Sequence, residues 1–220
     1  MKNAGFLVST QILDEADSII YRGFTIANAS EYPDDSRMLQ SWNANCRTLL
    51  MNEFVPLIHE LTMDTFFVDS IEDSELPKRI LAKGWKKAFI KASWKSLFCI
   101  DDDASVWPIH TFEWMKSEFD RRKFSGPYAI REFIPDKEVF YSEQRYWVLN
   151  GHVYHPSGNI PHKVIEGARR LYDFSGSHYF TIDYAGDYIV EVNPGESSDR
   201  GGANPLDWFV GIFADEFLNH

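Results

Sequence analysis

Three oxygen-bearing side chains near the C-terminal end could do chemistry together: Asp183, Glu191 and Asn193. They lie in Tyr-Phe-Thr-Ile-Asp-Tyr-Ala-Gly-Asp-Tyr-Ile-Val-Glu-Val-Asn-Pro-Gly, from Tyr179 to Gly195, which reads as two short strands, a Gly-Asp turn and a Pro-Gly loop. Side chains alternate along a strand, so Glu191 and Asn193 share a face and Val190 and Val192 take the other. Two or three hard oxygens on one face suit a hard cation such as magnesium. Asp183 joins that face only if the loop between the strands has an odd number of residues. A two-residue Gly186-Asp187 turn sets Asp183 against Val190 and breaks up the trio, leaving a hairpin with solvated acids.

Four other constellations could serve an anionic ligand. Lys91 ends an apolar strand centred on Ala88-Phe89-Ile90-Lys91, and Lys95 follows four residues on in a small-residue loop; two such lysines can grip phosphate oxygens. Tyr128 to Pro135 reads as a strand running into an extended linker, whose unpaired backbone groups suit an adenine edge. Glu143 and Arg145 sit two apart on one strand, where a carboxylate could take ribose hydroxyls and a guanidinium could hold phosphate by two points. The loop Glu196 to Gly202, rich in Ser, Gly, Asp and Arg, could position an acceptor. Each also has an ordinary explanation, such as a solvated loop, a surface Arg-Glu pair or a cross-strand ion pair.

These groups need a framework. A chain of 220 residues, 44% hydrophobic and 15% aromatic, supports one large domain or two small ones with packed cores. Its formal charge of −11 argues against a general nucleic-acid binder. No apolar run is long enough to span a membrane, and the apolar patch at Phe6 to Val8 is too short for a secretory signal. Cys46 and Cys99 lack metal-ligand spacing and read as buried thiols of a reducing compartment, so a cytoplasmic protein is expected.

Helical periodicity runs from Ser36 to about Met63, with possible helices at Asp14 to Tyr21, Pro77 to Lys83, Ile109 to Lys123, Pro161 to Tyr172 and Asp207 to Phe217. Strands are expected at Phe6 to Ser9, Phe24 to Ile26, Phe66 to Val68, Trp85 to Ser93, Tyr128 to Ile134, Glu143 to Leu149, His152 to His155, Tyr179 to Tyr184 and Tyr188 to Asn193. Asn150-Gly151 is a strong hairpin signal. The composition shift near residue 85 suggests a boundary between 1–84 and 85–220.

The order of these pieces carries a resemblance. Strand with lysine, hinge strand, Glu143-Gln144-Arg145 hairpin, Ile182-Asp183, then Glu191-Val192-Asn193-Pro194-Gly195 resembles the nucleotide half of the ATP-grasp ligases over roughly residues 85 to 202. The short length, with Lys91, Arg131, Arg145 and the Arg200 loop, is most similar to the small R2K clade, named for two arginines and a lysine. The resemblance implies an α+β ATP-grasp fold: two α+β subdomains with antiparallel sheets clasping ATP, after a short divergent N-terminal pre-grasp region. It implies an ADP-forming carboxylate–amine ligase that uses ATP and Mg2+, passes through an acyl-phosphate, and takes a small-molecule or peptide substrate. Asp183, Glu191 and Asn193 would hold magnesium. Lys91 and Lys95 would contact the α- and β-phosphates, and Arg131 and Arg145 would stabilise charge developing in transfer. Glu132, Phe133 and Ile134 would form the adenine hinge, Glu143 or the nearby Glu138 would take the ribose, and Arg200 would pair with a substrate carboxylate beside Asp199. The stretch Ser93 to Asp103 stands where a phosphate-covering flap is usual, yet it has no glycine. The alternative is a non-catalytic nucleotide-binding or interaction protein on the same scaffold.

Overall fold

The computed structural model of the chain describes residues 16–20, 35–71, 75–85, 88–92, 95–100, 127–132, 143–195, 198 and 204–218. In chain order its elements are α1 (Trp42–Leu49), α2 (Met51–Phe54), a 3-10 turn (Val55–Leu57), β1 (Thr65–Val68), α3 (Leu76–Ala82), β2 (Ala88–Ala92), β3 (Lys95–Ile100) and β4 (Tyr128–Glu132). Then follow β5 (Gln144–Leu149), β6 (His152–Tyr154), α4 (His162–Ser175), β7 (Tyr179–Ala185), β8 (Tyr188–Pro194) and α5 (Leu206–Leu218). The expectations at Phe6 to Ser9, Phe24 to Ile26 and Ile109 to Lys123 lie outside the described residues.

Two compact units result. One joins Met1–Leu49 to Phe140–His220, and the other is Leu50–Val139. The composition shift near residue 85 therefore falls inside the second unit. Leu50, at the division, has extended backbone (φ −85°, ψ 112°) and breaks the helical run expected from Ser36 to Met63. Pro56 then confines the next turn to 3-10 geometry, since it lacks an N–H to continue an α-helix. Residues 16–20 differ from the helix expected over Asp14 to Tyr21. Ile19 instead forms a parallel bridge to Met38, with its N–H donating to the Arg37 carbonyl at 2.8 Å.

In the first unit four antiparallel strands lie in the order β6-β5-β7-β8. Asn150 and Gly151 close the β5–β6 hairpin with φ of 44° and 83°, the two positive values a tight primed turn demands. One face of this sheet has two halves. Trp147, Leu149 and Tyr179 form the apolar half and pack against Phe209, Ile212 and Phe213 of α5. Those α5 residues recur at three- and four-residue steps, which puts them on one helical stripe. Edge-to-face contacts, Trp147 to Phe209 at 5.0 Å and Tyr179 to Phe213 at 6.2 Å, lock the rings. α4 packs across β6, β7 and β8, and α1 lies against β8 and α4. Buried Gln40 ties the N-terminal segment in. Its Oε1 accepts from Ser177 Oγ at 2.7 Å and from the Tyr179 N–H at 3.1 Å, while its amide donates to Asn45 at 2.5 Å.

Glu216 anchors the end of α5. Its carboxylate is 5% exposed, accepts the Tyr154 hydroxyl at 2.6 Å and lies 3.3 Å from His152 Nδ1. Burial pushes its pKa up, but hydrogen bonds from Tyr154, Asn150 and His152 outweigh that and hold it below 4.5. A carboxylate with a depressed folded-state pKa stabilises the fold above its unfolded pKa, and this contribution fades as pH falls through the folded value. Glu216→Gln should therefore cost about 1–3 kcal/mol at pH 7. The gap to the parent should narrow in urea titrations repeated below pH 4.5. A gap that is constant with pH would show that Glu216 contributes no proton linkage.

Candidate functional site

The polar half of the same sheet face carries the residues singled out in the sequence. Ala185 pairs with Tyr188 and Tyr184 with Ile189, so the β7–β8 turn holds just two residues, Gly186 and Asp187. A regular ladder would then set Asp183 against Val190 and scatter the trio. The register instead shifts between Asp183 and Tyr184. Val190 is the extra residue of a β-bulge, and Asp183 pairs directly with Glu191 and Thr181 with Asn193. The turn is thus the two-residue one, yet the trio is restored to one face by the bulge.

Across the other edge of β7, Arg145 of β5 is the direct partner of Asp183. Arg145 Nε donates to Asp183 Oδ1 at 2.7 Å and Nη2 to Oδ2 at 2.6 Å, a two-point ion pair. Asn193 Nδ2 adds a bond to Asp183 Oδ2 at 3.3 Å. The Asp183 side chain is 1% exposed and that of Arg145 19%. Directly opposed residues have Cβ atoms about 5 Å apart, so Arg145, Asp183 and Glu191 form a row across three strands.

The loop beyond β8 is fastened to this face. Thr181 Oγ1 and Ser198 Oγ lie 3.0 Å apart, and Ser198 also donates to the Pro194 carbonyl at 2.8 Å. Gly195 sits against the start of β7, its N–H donating to the Tyr179 carbonyl at 3.2 Å. A Cβ there would come within 2.3 Å of the Tyr179 ring and 2.6 Å of its carbonyl oxygen, so only glycine fits.

In the second unit the strand order is β1-β4-β2-β3. Lys91 pairs with Ala129 and Phe89 with Arg131, which sets Lys91 and Arg131 on one sheet face as diagonal neighbours. Both are buried, at 4% and 2% exposure. The Arg131 guanidinium donates to Thr65 Oγ1 at 3.2 Å and to the Thr62 hydroxyl. Glu132 ends β4 half-buried, its N–H donating to the Asp64 carbonyl at 3.0 Å. Lys95 opens β3 opposite Ala92, where the sequence reading has it in a loop; Lys95 to Ile100 pairs with β2 as a hairpin. Glu143 is exposed and immediately precedes β5. Phe133, Ile134, Glu138, Asp199 and Arg200 lie outside the described residues.

Several contacts were not legible in advance. The Arg145–Asp183 pair spans 38 positions and depends on a β5–β7 register that no local signal states. Thr181 and Ser198 carry no motif; only their place beside the Asn-Pro-Gly turn could have drawn notice. Among the described residues no three His, Cys, Asp or Glu side chains converge as a metal cluster. The set here is two carboxylates and an amide. Their donor chemistry fits a hard divalent ion, because Asn193 turns its amide N–H toward Asp183 and so leaves its carbonyl oxygen for a cation. A cation reaching Asp183 has to share it with Arg145.

No family model matches the sequence, and no curated protein matches it. Solved structures do match. The ATP-grasp ligase PsnB complexed with a minimal precursor superposes with a TM-score of 0.57 at 14% identity, over 81% of this chain and 62% of that one. The D-alanine–D-alanine ligase from Bacillus anthracis gives 0.54 at 13% identity, over 80% and 65%. The macrocyclase MdnC, bound with precursor peptide MdnA from Microcystis aeruginosa MRC, gives 0.53 at 14% identity, over 83% and 64%. The chain spans under two thirds of the length of each. The protein has the α+β ATP-grasp fold.

A double-mutant cycle tests the central ion pair. Asp183→Ala leaves a mostly buried guanidinium without this carboxylate and should cost about 3 kcal/mol in chemical denaturation. Arg145→Met added to it should restore part of that, with a coupling of roughly 1–3 kcal/mol. Additive effects would mean that the pair contributes nothing to stability.

Proposed function

We propose that the protein is an ATP- and magnesium-dependent, ADP-forming carboxylate–amine ligase acting on a peptide or amino-acid-like substrate. The observation that carries this reading is the row Arg145, Asp183, Glu191 and Asn193 on one sheet face, aligned by a bulge that the hairpin turn alone would not require. The matched structures support it by what they hold. PsnB was solved with precursor, Mg and ADP, the B. anthracis ligase with ATP, and MdnC with its precursor peptide.

In this reading bound magnesium supplies positive charge against the phosphate oxygens, held by Asp183, Glu191 and Asn193. Lys91, with Lys95, neutralises the α- and β-phosphates. Arg131 and Arg145 stabilise charge on the transferring phosphoryl group and on the acyl-phosphate that the amine then attacks. Both arginines are held by neighbours before any ligand arrives, Arg131 by two threonine hydroxyls and Arg145 by Asp183, so little ordering is left to do during transfer. Glu132, Phe133 and Ile134 bind adenine, Glu143 or Glu138 binds ribose, and Arg200 pairs with a substrate carboxylate. Residues 1–84 serve as the pre-grasp region and 85–220 as the nucleotide- and metal-binding region. Among the described residues no helix is long and apolar enough to cross a membrane, and the cytoplasm supplies the ATP this reading needs.

The reading is tested by thermal melting with and without Mg-ATP. Nucleotide at a hundredfold above its Kd should raise Tm by roughly 5–10 °C. Glu191→Ala should abolish most of that rise. ADP release should then appear with some member of a pool of amino acids and peptides. No rise in the parent protein would remove the nucleotide site. A rise without ADP release across broad pools would reassign the chain as a nucleotide binder.

A further inference from the structure

The row across β5, β7 and β8 has an electrostatic consequence for how the divalent ion is loaded, and the inference rests on the function proposed above. Asp183 is almost fully buried between a cation and an anion. On one side Arg145 grips both its oxygens, and on the other its cross-strand partner is Glu191. Two carboxylates opposed across a ladder repel, and the repulsion is larger where water is excluded. The guanidinium offsets it in the unliganded protein. A divalent cation arriving alone would meet Asp183 already neutralised and a fixed positive charge beside it.

We infer that Arg145 is a counter-ion standing where the metal's charge will later act, so that the site takes a divalent ion well only once an anionic phosphate draws part of the guanidinium's charge away from Asp183. Arg145 is then a positioning residue for the metal as well as a contact for phosphate. Ion and nucleotide are energetically coupled, and the coupling is reciprocal: whatever factor the nucleotide gains from the ion, the ion gains from the nucleotide.

The test uses Mn2+ alone as the probe, read by electron paramagnetic resonance of the free ion, so no turnover is involved. The full-length chain should bind Mn2+ weakly without nucleotide. Arg145→Gln should bind the bare ion about tenfold more tightly, within the usual range of such couplings. Arg145→Lys, which keeps the charge, should stay near the parent. Adding Glu191→Ala to Arg145→Gln should erase the gain, which ties it to this site. Bare-ion binding by Arg145→Gln that is no tighter than the parent's would overturn the inference. Equal gains for the Gln and Lys variants would do the same. Should the Gln variant not fold, the parent alone decides: micromolar Mn2+ affinity without nucleotide overturns the counter-ion role, and weak affinity that rises at least tenfold with a non-hydrolysable ATP analogue, after subtracting the ion the analogue takes up in protein-free buffer, supports it. A parent that is not stabilised by Mg-ATP defeats the proposed function instead, so the two failures are distinguishable.

Discussion

An ionised carboxylate removed from water needs a counter-charge, and the neighbouring strands supply one to Asp183. Taking the group out of solvent costs several kcal/mol, which a single distant charge does not offset. Arg145 answers with two short bonds from the neighbouring strand, and Asn193 adds a third from two positions along on β8. Everything that sets the register of β5, β7 and β8 therefore also sets whether this carboxylate meets its counter-charge.

The scaffold achieves that register by opposing devices on the two halves of one face. On the apolar half, Trp147, Leu149 and Tyr179 are clamped by the aromatic stripe of α5. On the polar half, no helix-borne ring is needed, because the bulge at Val190 and the close approach of Gly195 to Tyr179 define the path of β8. Because a strand's side chains alternate with period two, a one-residue error in β8 would carry Glu191 and Asn193 to the opposite face. The packed apolar half guards the polar half against that slip.

Much of the fold was legible from local pattern. The Asn150-Gly151 turn, the strands flanking it, the Tyr179 to Asn193 hairpin, and the helices at His162–Ser175 and Leu206–Leu218 all follow from turn chemistry and periodicity. The misses have physical reasons. The helical run from Ser36 breaks because Leu50 adopts extended backbone at the division between the two units, a long-range effect that apolar spacing does not record. Lys95 to Ile100 reads as a glycine-free loop yet becomes a strand because β2 offers it a ladder. At the candidate site, the residue types and their order were readable, but the alignment was not. Parity arguments on a two-residue turn put Asp183 on the wrong side, and only the bulge, which has no dependable sequence signature at Val190, reverses that. The partner of Arg145 was likewise hidden in a pairing between strands separated by a helix.

The first unit is assembled from both ends of the sequence, with Leu50–Val139 interposed. Gln40 reaches its partners Ser177 and Tyr179 across 137 and 139 positions. On the ribosome, the interposed stretch can mature as a contiguous block while residues up to Leu49 wait for β7 to emerge. Closing so long a loop carries an entropic cost and slows folding, so the Gln40 contacts form late. The order of synthesis thus makes the first unit wait for β7 and β8 before its sheet is complete.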